Sequence, residues 1–311
     1  MEKILILMST YNGEKYISMQ LDSILAQNNV ETYLLVRDDG STDRTVEILQ
    51  TYASQHNNIE VLLEDNIGCV QSFLELLLAA YSKTEFHYYA FADQDDIWKP
   101  CKLQVAINAL KYINCRESPC MYCSNLDVVD EQLQYMKLSY KRYKVESNKK
   151  NALIENRATG CTMVFNRCCV ELFYKYRPKS VLFHDYWIYL MCVYFGQVYI
   201  DTNAYILYRQ HGNNVVGVRG GFFKRWRKRI KNITNIPSVH SQELEAKRIL
   251  EVYEGMLSET DRQIIEIVAN YRRSWLKKVR LFICSFYKRG YSGSLSEQNL
   301  IYRYRILCGI L

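Results

Sequence analysis

An α/β fold with a mostly parallel sheet and helices on both faces is what this chain of 311 residues predicts, on three observations. Short apolar runs of strand length recur between Ile4 and Ala92, stretches of helical periodicity separate them, and polar residues gather directly after the runs. Such an order gives parallel strands joined by right-handed crossovers, and it puts ligands beyond the carboxyl ends of the strands.

Taken in order, Ile4–Met8 is a buried strand that turns polar at Ser9, too soon for a signal-peptide core or a membrane span. Ile17, Leu21, Ile24 and Leu25 then recur at helical spacing. Tyr33–Arg37 is the second strand, Val46 with Leu49 marks the second helix, and Ile59–Leu63 is the third strand. Val70, Phe73, Leu74, Leu77 and Tyr81 share a helical face, and His87–Ala92 is the fourth strand. A helix over Leu103–Ile113 and a strand over Met121–Leu126 follow, then a polar, Lys-rich excursion from 137 to 151. Thr162–Asn166 and Val198–Tyr208 read as strands with a helix near Asp185–Tyr194 between them, and after Val216 the chain turns basic and helical. Residues 1–215 are therefore expected to form the main domain and 216–311 a basic helical extension.

The 49% hydrophobic and 23% charged content is that of a globular protein. The net charge of +7 splits into −4 over residues 1–215 and +11 over 216–311. The basicity thus belongs to the extension, where an anionic membrane surface or a polyanion would be attracted. Phe222–Lys231 and Trp275–Phe282 interleave cations with Trp, Phe and Leu, as interfacial helices do. Packing on the main domain, or nucleic-acid binding, would use the same composition. Eleven cysteines at scattered spacing predict reduced thiols and a cytoplasmic setting. The longest apolar stretch, residues 186–200, is interrupted by Gly196 and Gln197, so membrane contact is expected to be peripheral at the inner face.

The loops that follow the strands carry the chemistry. Asp93, Asp95 and Asp96 fall within four residues and repel one another unless a hard divalent cation sits among them; a solvated loop is the plain alternative. Arg37–Asp43 is either a turn with a helix cap or an acceptor site for a base N–H or ribose hydroxyl. His184-Asp185-Tyr186-Trp187 precedes an apolar helix: Asp185 caps it, or acts as a general base beside an aromatic platform. With an acidic metal loop, His211 becomes a second metal ligand and Arg209 a clamp for a diphosphate. Glycine-rich phosphate loops of the kinase and dehydrogenase kinds do not occur.

In the order Ser9–Gly13, Arg37–Asp43, Asp65–Gly68, Ala92–Trp98, Thr159–Met163 and His184–Trp187, these segments resemble glycosyltransferase family 2, the inverting GT-A enzymes. Asp93–Trp98, His184–Trp187 and Tyr208–His211 are most similar to bacterial rhamnosyltransferases that use dTDP-rhamnose in cell-surface polysaccharide synthesis. The resemblance implies a GT-A fold, a nucleotide-diphosphate sugar donor, a saccharide or lipid-linked saccharide acceptor, and Mg²⁺ or Mn²⁺. By the same resemblance Thr10, Tyr11, Asn12, Asp39, Asp93 and Arg209 would bind the donor, Asp95 and His211 the metal, and Gly160, Cys161, His184 and Trp187 the acceptor. Asp185 would be the catalytic base. Alternative readings are a UDP-hexose donor, a metal-dependent nucleotidyltransferase, or a silent membrane-surface module.

Overall fold

Alternation along the first strand sets the architecture in the computed structural model, which describes residues 1–114, 117–139, 148–154, 156–211, 241–283 and 306. In β1 (Glu2–Thr10), Leu5 and Leu7 enter one hydrophobic cluster and Ile4, Ile6 and Met8 the other. A strand buried on both faces belongs in the middle of a sheet, and β1 lies between β2 (Val30–Asp39) and β4 (Tyr88–Ala92). Helices α1 (Ile17–Leu25), α2 (Thr45–Gln55) and α4 (Lys102–Tyr112) cover the Ile4 face. On the Leu5 face lie α3 (Cys69–Tyr81), α5 (Lys149–Ala152), α6 (Arg167–Lys175) and α7 (His184–Phe195).

The remaining strands are β3 (Ile59–Glu64), β5 (Ile97–Trp98), β6 (Cys120–Val129), β7 (Tyr135–Leu138), β8 (Val164–Asn166) and β9 (Gln197–Arg209). The sheet runs β3-β2-β1-β4-β8-β6-β9-β5, with β7 paired to β6. It is parallel from β3 to β4 and between β6 and β9, while β8 runs against both neighbours. That reversal pairs Ala90 with Val164, so the 3₁₀ turn Gly160–Thr162 arrives beside the carboxyl end of β4. Pairing of Ile97 with Leu207 likewise brings Asp95 and Asp96 to the end of β9.

Every strand and helix read from residues 1–215 is present, and β5, β7, α5 and α6 are additional. Helix α6 escaped the periodicity reading because its buried face is Cys169, Val170 and Phe173, with cysteine in the place of a larger apolar residue. Cys120 is disulfide-bonded, which corrects the expectation of uniformly reduced thiols.

Beyond residue 240 come α8 (Ser241–Val252), α9 (Glu259–Ala269) and α10 (Trp275–Ile283). Ala246, Ile249, Tyr253, Ile265, Val268 and Tyr271 belong to the same cluster as α7, so these helices pack on the main domain. Trp275 and Leu276 are 73% and 72% exposed. The basic segment Phe222–Lys231 lies outside the described residues. Among the described residues, no helix is long and apolar enough to cross a membrane.

Candidate active site

The loops after β1 and β2 are sewn together through side chains. The Thr10 hydroxyl donates to Asp38 Oδ2 at 2.9 Å, and Asp38 also accepts from the Ser41 amide and hydroxyl at 2.8 and 2.6 Å. Asn12, in the left-handed region at φ 48° that Asn tolerates, accepts from the Thr42 amide at 2.8 Å. Asp39 is buried: it pairs with Arg37 and accepts from the Ile67 and Gly68 amides at 2.9 and 2.8 Å. Its carboxylate therefore fixes the start of α3.

The acidic loop after β4 divides by burial. Asp93 and Asp95 are partly exposed, whereas Asp96 is fully buried, with Oδ1 accepting from the Arg209 amide at 3.3 Å and Oδ2 without a hydrogen-bond partner. Asp95 Oδ2 lies 2.6 Å from His211 Nε2. Arg209 is buried, and its guanidinium donates to the carbonyls of Asp95 (3.0 Å) and Glu131 (2.8 Å) and lies over the Tyr16 ring. These bonds make it a brace for the acidic loop, in place of the diphosphate clamp expected.

Asp185 stands in the first turn of α7. Its Oδ2 accepts from the Gly160 amide at 3.0 Å and its Oδ1 from the Tyr186 amide at 2.6 Å. Burial pushes its pKa up to about 6, against the pull of those amides. His184 is 8% exposed, its ring stacked on Phe73 at 3.9 Å, and neither ring nitrogen has a partner. Burial lowers its pKa to about 3, so it is neutral, with one N–H to give and one nitrogen to accept. A Cβ at Gly160 would fall 3.1 Å from His184 Nε2, so a larger residue there would make the neighbouring ring give by a few tenths of an ångström.

Two expected acceptor contacts are corrected by burial. Cys161 is 0% exposed and lies beneath the acidic loop, where burial and then Asp96 and Asp93 push its thiol well up. Trp187 is also 0% exposed and stacks on Tyr253 at 5.7 Å. The aromatic platform read beside Asp185 is thus part of the seam between α7 and the C-terminal helices. Gly160 and His184 remain next to Asp185.

The separated carboxylates lie near one another around the start of α3. Burial and then Asp93, Asp185, Asp39 and Asp95 together raise the thiol of Cys69, at the start of α3, to about 12. Asp93 is itself raised to about 7 by burial, then Asp95, then Asp185. One ligand atom each of Asp93, Asp96 and Cys161 lies within 4.8 Å of the others, and Asp95 with His211 adds an oxygen and an imidazole. The carboxylate oxygens of Asp93 and Asp96, the latter with one oxygen orphaned, suit Mg²⁺ or Mn²⁺, whereas the Cys161 thiol among them is not a ligand such ions favour.

Sequence reasoning gave no role to Gln94 or Cys69. Gln94 exchanges bonds with the Tyr11 backbone, and the only signal for it was its place inside the acidic loop. Cys69 carried none, because a single cysteine at a helix start has no pattern.

The profile of Glycosyl transferase family 2 matches residues 5–167. The dTDP-rhamnosyl transferase RfbG of Shigella flexneri is 29% identical over 71% of this chain and 77% of its own length. A putative teichuronic acid biosynthesis glycosyltransferase, TuaG of Bacillus subtilis, is 34% identical over 34% of this chain and 41% of its own. Among solved structures, S. aureus TarS 1–349 in complex with UDP-GlcNAc superposes with a TM-score of 0.57 at 18% identity, covering 99% of this chain and 82% of that one. The mannosyltransferase PcManGT from Pyrobaculum calidifontis, in complex with GDP-Man and Mn²⁺, gives 0.51 at 16% identity over 98% and 80%.

Proposed function

The chain belongs to glycosyl transferase family 2, and on that premise we propose an inverting transfer of L-rhamnose from dTDP-rhamnose to a saccharide hydroxyl in bacterial cell-surface polysaccharide synthesis. The observation that carries it is the gathering of Asp93, Asp95 and Asp185 around the start of α3. The rhamnosyl relative, similar over most of both chains, supports the choice of sugar.

Tyr11 and Asn12 would line the nucleoside side, with buried Thr10, Asp38 and Asp39 organising the loops behind them. Asp95 and His211 would hold the divalent ion, with Asp93 on the donor side, and the ion when bound would supply positive charge to a departing diphosphate. Arg209 keeps that loop in place. Asp185, ionised above pH of about 6, takes the proton of the acceptor hydroxyl as its oxygen attacks the anomeric carbon and the bond to diphosphate breaks. A single base facing the acceptor side suits one displacement with inversion. His184, whose two ring nitrogens are buried without a partner, supports a reading in which one of them bonds a second acceptor hydroxyl.

The acceptor in this reading is a saccharide or lipid-linked saccharide, reached from the cytoplasmic face of the membrane. Exposed Trp275 and Leu276 beside Lys277, Lys278 and Arg280 suit peripheral contact with anionic headgroups. The test is a transfer assay with radiolabelled dTDP-rhamnose, UDP-galactose, UDP-glucose and UDP-N-acetylglucosamine, with Mn²⁺ or with chelator. Turnover confined to dTDP-rhamnose and abolished by chelator is expected. A preference for a UDP-hexose would overturn the sugar, and full activity in chelator would overturn the metal.

A further inference from the structure

We propose that the helices after residue 240 are part of the catalytic apparatus, with Glu245 of α8 as a positioning residue for Asp185. The inference rests on Asp185 as the base.

Helix α8 meets the chain on both sides of Asp185. On the upstream side, Glu245 Oε2 accepts from the Leu182 amide at 3.2 Å and from Arg248 at 2.6 Å. Leu182 precedes the extended Phe183 that opens α7, and the first bond of that helix runs from the Trp187 amide to the Phe183 carbonyl at 3.1 Å. On the downstream side, Tyr253, directly after α8, stacks on Trp187. The two grips fall three residues before Asp185 and two after it.

Glu245 is wholly buried, an expensive place for a carboxylate unless its bonds are specific. Leu182 belongs to no helix or strand, so its amide has no ladder to satisfy it, and Glu245 provides the acceptor. What this fixes is the direction in which α7 starts. That direction decides whether Asp185 Oδ2 meets the Gly160 amide at 3.0 Å and opens on the cleft. Displacement of a base by about 1 Å costs on the order of 100-fold in rate. A second link, Lys149 to Asp261 at 2.7 Å, ties α9 to α5, whose Ala152 carbonyl accepts from Tyr186 next to the base.

The test uses the full chain with Glu245→Ala and Glu245→Gln. Glu245→Ala is expected to lower kcat about tenfold or more while the donor KM stays within about twofold. Hydrogen exchange should rise in the peptide spanning 180–188 and stay unchanged over 1–98. The Gln variant keeps an oxygen for the Leu182 amide and should restore most of the turnover and the protection. Normal turnover in Glu245→Ala, or equal loss of donor binding and turnover with exchange raised throughout, would overturn the inference. Absence of transfer by the wild-type chain would instead strike the proposed function.

Discussion

Gln94 and Tyr11 exchange two hydrogen bonds: the Tyr11 amide donates to Gln94 Oε1 at 2.9 Å, and Gln94 Nε2 donates to the Tyr11 carbonyl at 3.0 Å. An amide side chain imitating a strand neighbour thereby locks the loop after β1 to the acidic loop after β4. Gln94→Ala should weaken donor binding by about tenfold, close to 1.4 kcal/mol, through loss of preorganisation. Calorimetric titration with dTDP and Mn²⁺ checks this, and an unchanged affinity would remove the lock from the account.

Asp185→Asn should lower turnover by about 100-fold or more and leave donor affinity intact, because the amide keeps the shape and loses the basicity. The same residue sets the acid limb of the wild-type profile. Only the ionised carboxylate accepts a proton, so kcat/KM should be level above pH of about 6 and fall as pH drops through it. A limb unchanged in position in the residual activity of the variant would assign it to another group.

Asp95→Ala should abolish Mn²⁺-dependent binding of dTDP, and His211→Ala should weaken it by about tenfold, since an imidazole 2.6 Å from Asp95 can share an ion with it. Mn²⁺ titrations of both variants decide the matter. Full affinity in Asp95→Ala would move the ion elsewhere.

Gly160→Ala forces a methyl to 3.1 Å from His184 Nε2 and 3.4 Å from Asp185 Cβ. A shift of a few tenths of an ångström at the base should lower kcat on the order of tenfold with donor KM retained. Steady-state kinetics with the preferred donor gives the answer, and a rise in donor KM alone would contradict it.

Trp187→Ala removes a fully buried ring at the seam with Tyr253 and should cost about 3–5 kcal/mol of stability, measured by urea denaturation. If stability held while acceptor KM rose, Trp187 would return to the acceptor pocket.

Local pattern was enough for much of this protein. Alternation in Ile4–Met8 and helical spacing in Val70–Tyr81 need only near neighbours, so they are written in the sequence and the sheet follows from their order. Asp93 and Asp95 could be named as candidates from sequence too, because clustered carboxylates repel one another unless a cation sits among them, whereas Asp185 and His211 were singled out only beside that loop.

What a side chain touches was settled only by folding. Arg209 has the chemistry of a diphosphate clamp, yet the pairing of β5 with β9 spends its guanidinium on the carbonyls of Asp95 and Glu131. Trp187 lies two residues from the base on a helix turning 100° per residue, so it faces away from the cleft and into α8. The sequence by itself determined which groups are available and which elements carry them. Only the tertiary structure decided their orientation and partners, because antiparallel β8 and the docking of α8 arise from contacts between residues tens of positions apart, which no local period encodes.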